Sequence, residues 1–117
     1  MAFKFESLKV WQRVIELSGE IYELTESFPK NEMYVLTSQI QRASDSIALN
    51  IAEGSTGQTN PEFKRFLGIA PCSAMEVVCC IHIGKRRKII AEPRFECFYQ
   101  LLTESIKSIQ ALRNSIR

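Results

Sequence analysis

Leu36-Thr37-Ser38-Gln39-Ile40-Gln41-Arg42-Ala43-Ser44-Asp45-Ser46-Ile47-Ala48-Leu49-Asn50-Ile51-Ala52-Glu53-Gly54 decides the fold. With Met33 just ahead of it, the run sets Met33, Leu36, Ile40, Ala43, Ile47, Asn50 and Gly54 at alternating steps of three and four residues. Steps of that size place side chains on one face of an α-helix, and a heptad seam sustained this long packs against a neighbouring helix. A polar row of Gln39, Arg42, Ser46, Asn50 and Glu53 runs beside the seam. Asn50 belongs to both rows, and a polar side chain in such a seam fixes register because it must find a hydrogen-bond partner. The row reads either as a solvated face with a register pin or as a pocket or interface at the Asn50–Gly54 end.

Working outward, three further segments carry the same periodicity. From Ser7 to Thr25, Leu8, Trp11, Ile15, Ser18 and Tyr22 make a seam with Val14, Leu17, Ile21 and Leu24 beside it. Phe28-Pro29 ends it, because proline disfavours the helical conformation of the residue before it. The polar linker Gly54-Ser55-Thr56-Gly57-Gln58-Thr59 turns the chain. Asn60 is then placed to cap a third helix with Pro61 and Glu62 in its first turn. Phe63, Phe66, Leu67, Ala70, Ala74, Val77 and Ile81 mark its buried stripe, and Pro71 inside that stripe predicts a bend near residues 67–71. A fourth helix begins near Pro93 and continues through Phe95, Phe98, Leu102, Ser105, Ile109, Leu112 and Ile116, with Leu101 and Ile106 widening its face. No stretch alternates like a strand. The expectation is a single all-α domain over residues 1–117, an antiparallel up-down-up-down four-helix bundle with a kinked third helix.

Within the third helix, Val77-Val78-Cys79-Cys80-Ile81-His82-Ile83 is apolar at every position except His82 and so points apolar groups all round. A lone bundle leaves each helix one face in water. Val77, Val78, Cys80, Ile81 and Ile83 are therefore expected to form an interface with another copy of the chain.

At 117 residues the chain is one domain, and 45% apolar with 24% charged residues excludes disorder and fibres. No run of about 18 apolar residues free of charge stands out, and the first nine residues carry charge where a signal peptide needs an apolar stretch. A cytoplasmic protein without a membrane partner is expected, with Cys72, Cys79, Cys80 and Cys97 as thiols. The net charge of +2 is uneven: residues 61–90 carry six cations against two carboxylates, and Lys85, Arg86, Arg87 and Lys88 are consecutive. This tetrad, with Lys64 and Arg65 secondary, reads as a set of phosphate contacts or as a solvated helix end favoured by the helix dipole.

Catalytic chemistry finds little footing. His82 is the sole imidazole, and with Cys79 and Cys72 it falls short of the paired spacings of a zinc site. Di-iron bundles need two Glu-x-x-His motifs, and Gly54–Gly57 lacks the ending of a phosphate-binding P-loop. No enzyme, metal or cofactor is expected.

The run Leu36–Ala43 followed by Ser46–Gly54 resembles the signature of the four-helix-bundle proteins encoded in 23S rRNA intervening sequences. Phe5, Leu8, Val10, Trp11 and Phe28-Pro29 support the likeness, as do Glu62-Phe63, Phe66-Leu67, Ile69-Ala70, Ser73 and Glu76. It covers roughly residues 3–90. This chain departs from the pattern with Pro71-Cys72 before Ser73, and with Arg87-Lys88-Ile89 where members close the third helix on a glycine–aromatic turn. The resemblance implies a homopentamer with no established enzymatic activity. It extends to the accessory variability proteins of diversity-generating retroelements, which implies an adaptor for structured RNA and a reverse transcriptase. The other expectation is a self-assembling structural or protein-interaction module that binds no nucleic acid.

Overall fold

Proline, glycine and a few capping side chains set the ends of four helices. The computed structural model describes residues 2–57 and 59–117; Met1, and Gln58 within the expected linker, lie outside the described residues. After a single 3-10 turn at Lys4–Ser7 come α1 (Lys9–Glu26), α2 (Ser38–Gly54), α3 (Asn60–Arg86) and α4 (Glu92–Ser115), and no strand occurs among the described residues. Consecutive helices pack against each other and α4 returns to α1, so all four enclose one core.

In α1 the two candidate stripes resolve in favour of the second. Val14, Leu17, Ile21 and Leu24 are buried, whereas Ile15 and Tyr22 are exposed and Leu8 and Trp11 only lean on the core. The buried stripe continues into Thr25 and Phe28, both also buried. The Thr25 hydroxyl donates to the Tyr22 carbonyl at 2.7 Å and accepts from Gln41 Nε2 of α2 at 2.8 Å, so its burial leaves no orphaned polar group.

The seam of α2 starts later than expected. A π-helical turn, Met33–Thr37, precedes the α-helix, and Met33 turns outward at 51% exposure. The Glu32 carboxylate caps that turn by accepting from the Leu36 N–H at 3.4 Å. From Leu36 on the seam holds: Leu36, Ile40, Ala43, Ile47 and Gly54 are buried. Gly54 is required by close approach, since a Cβ there would lie 2.5 Å from the Phe66 Cβ of α3.

α3 is capped one residue earlier than expected, by Thr59, whose hydroxyl accepts from the Glu62 N–H at 3.1 Å; Asn60 is already helical. Phe63, Leu67, Ala70, Ala74, Val77 and Ile81 are buried as the stripe requires. The helix runs unbroken through the buried Pro71. By length and composition α3 is long and apolar enough to cross a membrane, against the expectation above; 39% of its most apolar stretch is buried within the fold. Its apolar stripe packs on α2 and α4.

Three of the five expected interface residues need correcting. Val77 and Ile81 are fully buried and Cys80 nearly so, all within the chain's own core. Only Val78 and Ile83 are half-buried, and Cys79 and His82 are exposed. α3 touches both α2 and α4, which widens its inward arc beyond one stripe and takes in Val77, Cys80 and Ile81.

The end of α3 closes on a Schellman motif. Ile89 N–H donates to the Gly84 carbonyl at 2.8 Å and Lys88 N–H to the Lys85 carbonyl at 3.0 Å, with Lys88 at φ 61° in the left-handed region that glycine prefers. The buried Ile90 side chain lies over Gly84, where an added Cβ would come within 2.6 Å of it. α4 then buries Phe95, Phe98, Leu102 and Ile109.

Candidate functional site

The cationic tetrad sits at the corner where α3 ends, and it divides into structural and free charges. Lys85 pairs with Glu92 of α4 at 2.9 Å and lies over the Phe95 ring, 4.4 Å from its centroid. Arg87 grips the Glu32 carboxylate at 3.1 Å, tying the end of α3 to the connection between α1 and α2. That carboxylate is only 14% exposed and also caps the π turn. Glu32 and Glu92 were not identified in the sequence; only their acidic character near helix starts signals them. Arg86 and Lys88 are exposed and make no ion pair among the described residues. Two of the four expected phosphate contacts are thus engaged within the fold.

The secondary cations lie elsewhere. Lys64 and Arg65 are at the opposite end of α3, about 30 Å away at the helical rise. Arg65 pairs with Glu62 at 2.9 Å and stands over the Phe66 ring. That pairing holds the Glu62 carboxyl below its ordinary range and the Arg65 guanidinium above its own. The Lys64 carbonyl accepts from Arg113 Nε of α4 at 3.1 Å. The six cations therefore do not form one continuous patch.

The polar row on α2 is mostly a seam against α3. Gln39 Nε2 donates to Glu76 at 2.8 Å, and the Ser46 and Ser73 hydroxyls are 2.9 Å apart. Asn50 finds its partners within α2, donating to the Ser46 carbonyl at 2.8 Å and to its hydroxyl at 3.0 Å. Arg42 and Glu53 are exposed. Ser73 and Glu76, which belong to the quoted resemblance, are the positions that answer the row on α2. The register-pin reading accounts for these contacts; at the Gly54 end of α2 lie two hollows, of about 60 Å³ against Gly54 and Phe63 and about 410 Å³ against Phe3, Phe5 and Ala52, and no residue of the row lines either.

The chemistry-bearing residues stay apart. His82 is exposed and lies edge-on to Phe95, with ring centroids 4.9 Å apart. Cys72, Cys79 and Cys97 are exposed thiols; burial, then the nearby Glu76 carboxylate, push the buried Cys80 thiol up to about 11. A groove of about 270 Å³ between α1 and α4 is lined by Arg13, Glu16, Glu20 and Glu104 and carries neither cysteine nor histidine.

At the same corner as the tetrad, Met33, Tyr34 and Val35 follow Glu32 and are 51%, 90% and 57% exposed. Periodicity assigned Met33 to the core, and Tyr34 drew no attention.

Comparison with known proteins fits this architecture. A protein of unknown function from the S23 ribosomal protein family of Bacteroides thetaiotaomicron has a similar crystal structure, with a TM-score of 0.79. The two are 24% identical, and the match covers 89% of this chain and 97% of that one, so it speaks for the fold. No curated protein matches the chain. The family model for the 23S rRNA-intervening sequence protein matches residues 6–111. With four helices closed around the α2–α3 seam that carries the quoted signature, this chain belongs to the 23S rRNA-intervening sequence protein family.

Proposed function

We propose that this chain is a non-enzymatic, cytoplasmic, homo-oligomeric adaptor that holds structured RNA by electrostatic contact. The observation that carries the reading is the pair of cations without an ion pair among the described residues, Arg86 and Lys88, beside Lys85 and Arg87, whose ion pairs tie the end of α3 to Glu92 of α4 and to Glu32. In this reading the helices alternate in direction; contacts of Gly54 with Phe66, Ser46 with Ser73, and Lys64 with Arg113 support that order. Copies assemble into a pentamer through the outer face of α3. Exposed Cys72, Met75 and Cys79 and half-buried Val78 and Ile83 support that surface. Five copies present ten free cations, so weak single contacts add up by avidity. The reading extends, on the sequence resemblance alone, to presenting that RNA to a reverse transcriptase.

Charge reversal at Arg86 and Lys88 tests this. RNA retention at low salt should fall while the oligomer mass stays unchanged; undiminished retention overturns the reading. Arg87 is unsuited to the test because its loss also releases Glu32.

A second reading is a self-assembling scaffold without nucleic-acid binding. It is favoured by the engagement of half the tetrad in ion pairs. A salt series separates the two: the adaptor loses affinity steeply as salt rises, and the scaffold retains no RNA at any salt.

A further inference from the structure

We propose that the corner joining the α1–α2 connection to the end of α3 binds single-stranded RNA. The Tyr34 ring stacks on an unpaired base while Arg86 and Lys88 hold the adjoining phosphates. This rests on the adaptor reading and adds to it the strandedness of the ligand.

Three observations meet at this corner. The first is exposure: Tyr34 is the most exposed large apolar side chain described, at 90%, and Met33 and Val35 flank it in the open. The second is a shared anchor. Tyr34 sits in a π-helical turn, a rare geometry that recurs at functional sites. The turn is held by Glu32, which caps Leu36 and pairs with Arg87 at 3.1 Å, so Tyr34 and the cationic turn are fastened through one carboxylate. The third is charge. Residues 30–35 and 85–92 carry Lys30, Lys85, Arg86, Arg87 and Lys88 against Glu32 and Glu92, an excess of +3 in a chain whose total is +2. Both carboxylates are already paired with tetrad cations. The excess attracts a polyanion.

The combination selects among polyanions. An RNA duplex buries its base faces in its own stack and offers a lone tyrosine only phosphate and sugar. An unpaired nucleotide offers a π-face beside a phosphate, and base–aromatic stacking adds to the electrostatic term without demanding a sequence. Lys88 strengthens the case, because a lysine occupies a left-handed position where glycine carries less strain, and its side chain places a cation at the turn.

The test uses the intact protein, fluorescence anisotropy, an unstructured dodecamer RNA and the same strand annealed to its complement. At low salt the single strand should bind tighter than the duplex. Tyr34→Ala should weaken single-strand binding at least about fivefold and leave duplex binding unchanged, whereas Tyr34→Phe, which keeps the ring, should bind like the parent. Since Tyr34 is in solvent, all variants should keep the parent's circular dichroism and melting midpoint. Unaltered single-strand binding by Tyr34→Ala, together with loss on charge reversal at Arg86 and Lys88, overturns the stacking site while the adaptor reading stands. Absence of binding to either RNA by the parent removes the adaptor reading itself, and this site with it.

Discussion

Lys88 and Gly54 show the backbone deciding residue identity in opposite directions. A non-glycine residue in the left-handed region carries about 1 kcal/mol or more of strain, and Lys88 is held there by the two hydrogen bonds that close α3. Lys88→Gly should raise stability by about 1 kcal/mol, read as a melting midpoint a few degrees higher. Gly54→Ala should do the reverse. A methyl 2.5 Å from the Phe66 Cβ forces α2 and α3 apart, a loss of about 1–3 kcal/mol in urea denaturation. Cys80 contributes a pH dependence of definite sign. Its thiol proton is held up to about 11 by burial, above the value in the unfolded chain. The associated stability is complete below the ordinary thiol range near about 8.5 and is lost as pH climbs toward 11. Urea midpoints of the parent and of Cys80→Ala, compared at pH 8 and pH 10.5, should converge at the higher pH.

At the scale of the element, the corner between α3 and the π turn is one mechanical unit with a testable hierarchy. The Arg87 side chain is 48% exposed but the Glu32 carboxylate only 14%, so Arg87→Ala strands a mostly buried charge and should cost about 1–3 kcal/mol. Glu32→Ala removes the same pair and also the cap on Leu36, which adds about 1 kcal/mol. Because Glu32→Ala also removes the charge that Arg87→Ala would strand, Arg87→Ala should cost stability in the parent but little in the Glu32→Ala background, and the double variant should unfold at the same urea as Glu32→Ala alone. Such hierarchy is hidden in a sequence, because Glu32 and Arg87 lie far apart along the chain. What periodicity does reveal is the existence of each helix and the seams of α2 from Leu36, of α3 and of α4. It fails where two apolar stripes compete, as Ile15 and Tyr22 do with Val14 and Ile21, since the choice depends on which stripe meets α2 and α4 in three dimensions. It also misplaces Val77, Cys80 and Ile81, which the chain's own core buries because α3 meets both α2 and α4, while Val78 and Ile83 stay half-buried. The tetrad was legible as charge but not as architecture: the spacing of cations does not tell which of them meet carboxylates from other helices.

For the whole molecule, affinity for RNA should depend on assembly more than on the charge of one chain. Each chain contributes two unengaged cations at the corner, and each phosphate contact on a single strand changes the salt slope by only about 0.7. A monomer should bind weakly and lose its grip at modest salt. Linking copies turns later contacts into intramolecular ones and raises affinity by about a hundredfold or more when geometry allows simultaneous engagement. Met75, exposed on the outer face of α3 between Cys72 and Cys79, is the place to separate assembly from charge. Met75→Lys puts a cation into the proposed contact between copies and should convert the parent oligomer to a particle near 13.4 kDa by light scattering. The substitution also adds positive charge, so simple electrostatics predicts tighter RNA binding. Assembly predicts the opposite: affinity drops, and the salt dependence becomes shallower because fewer phosphates are held at once. A parent chain that already scatters as a monomer, or a Met75→Lys monomer that binds RNA as tightly as the parent, would remove assembly from the account of binding and leave the corner of a single chain to carry it.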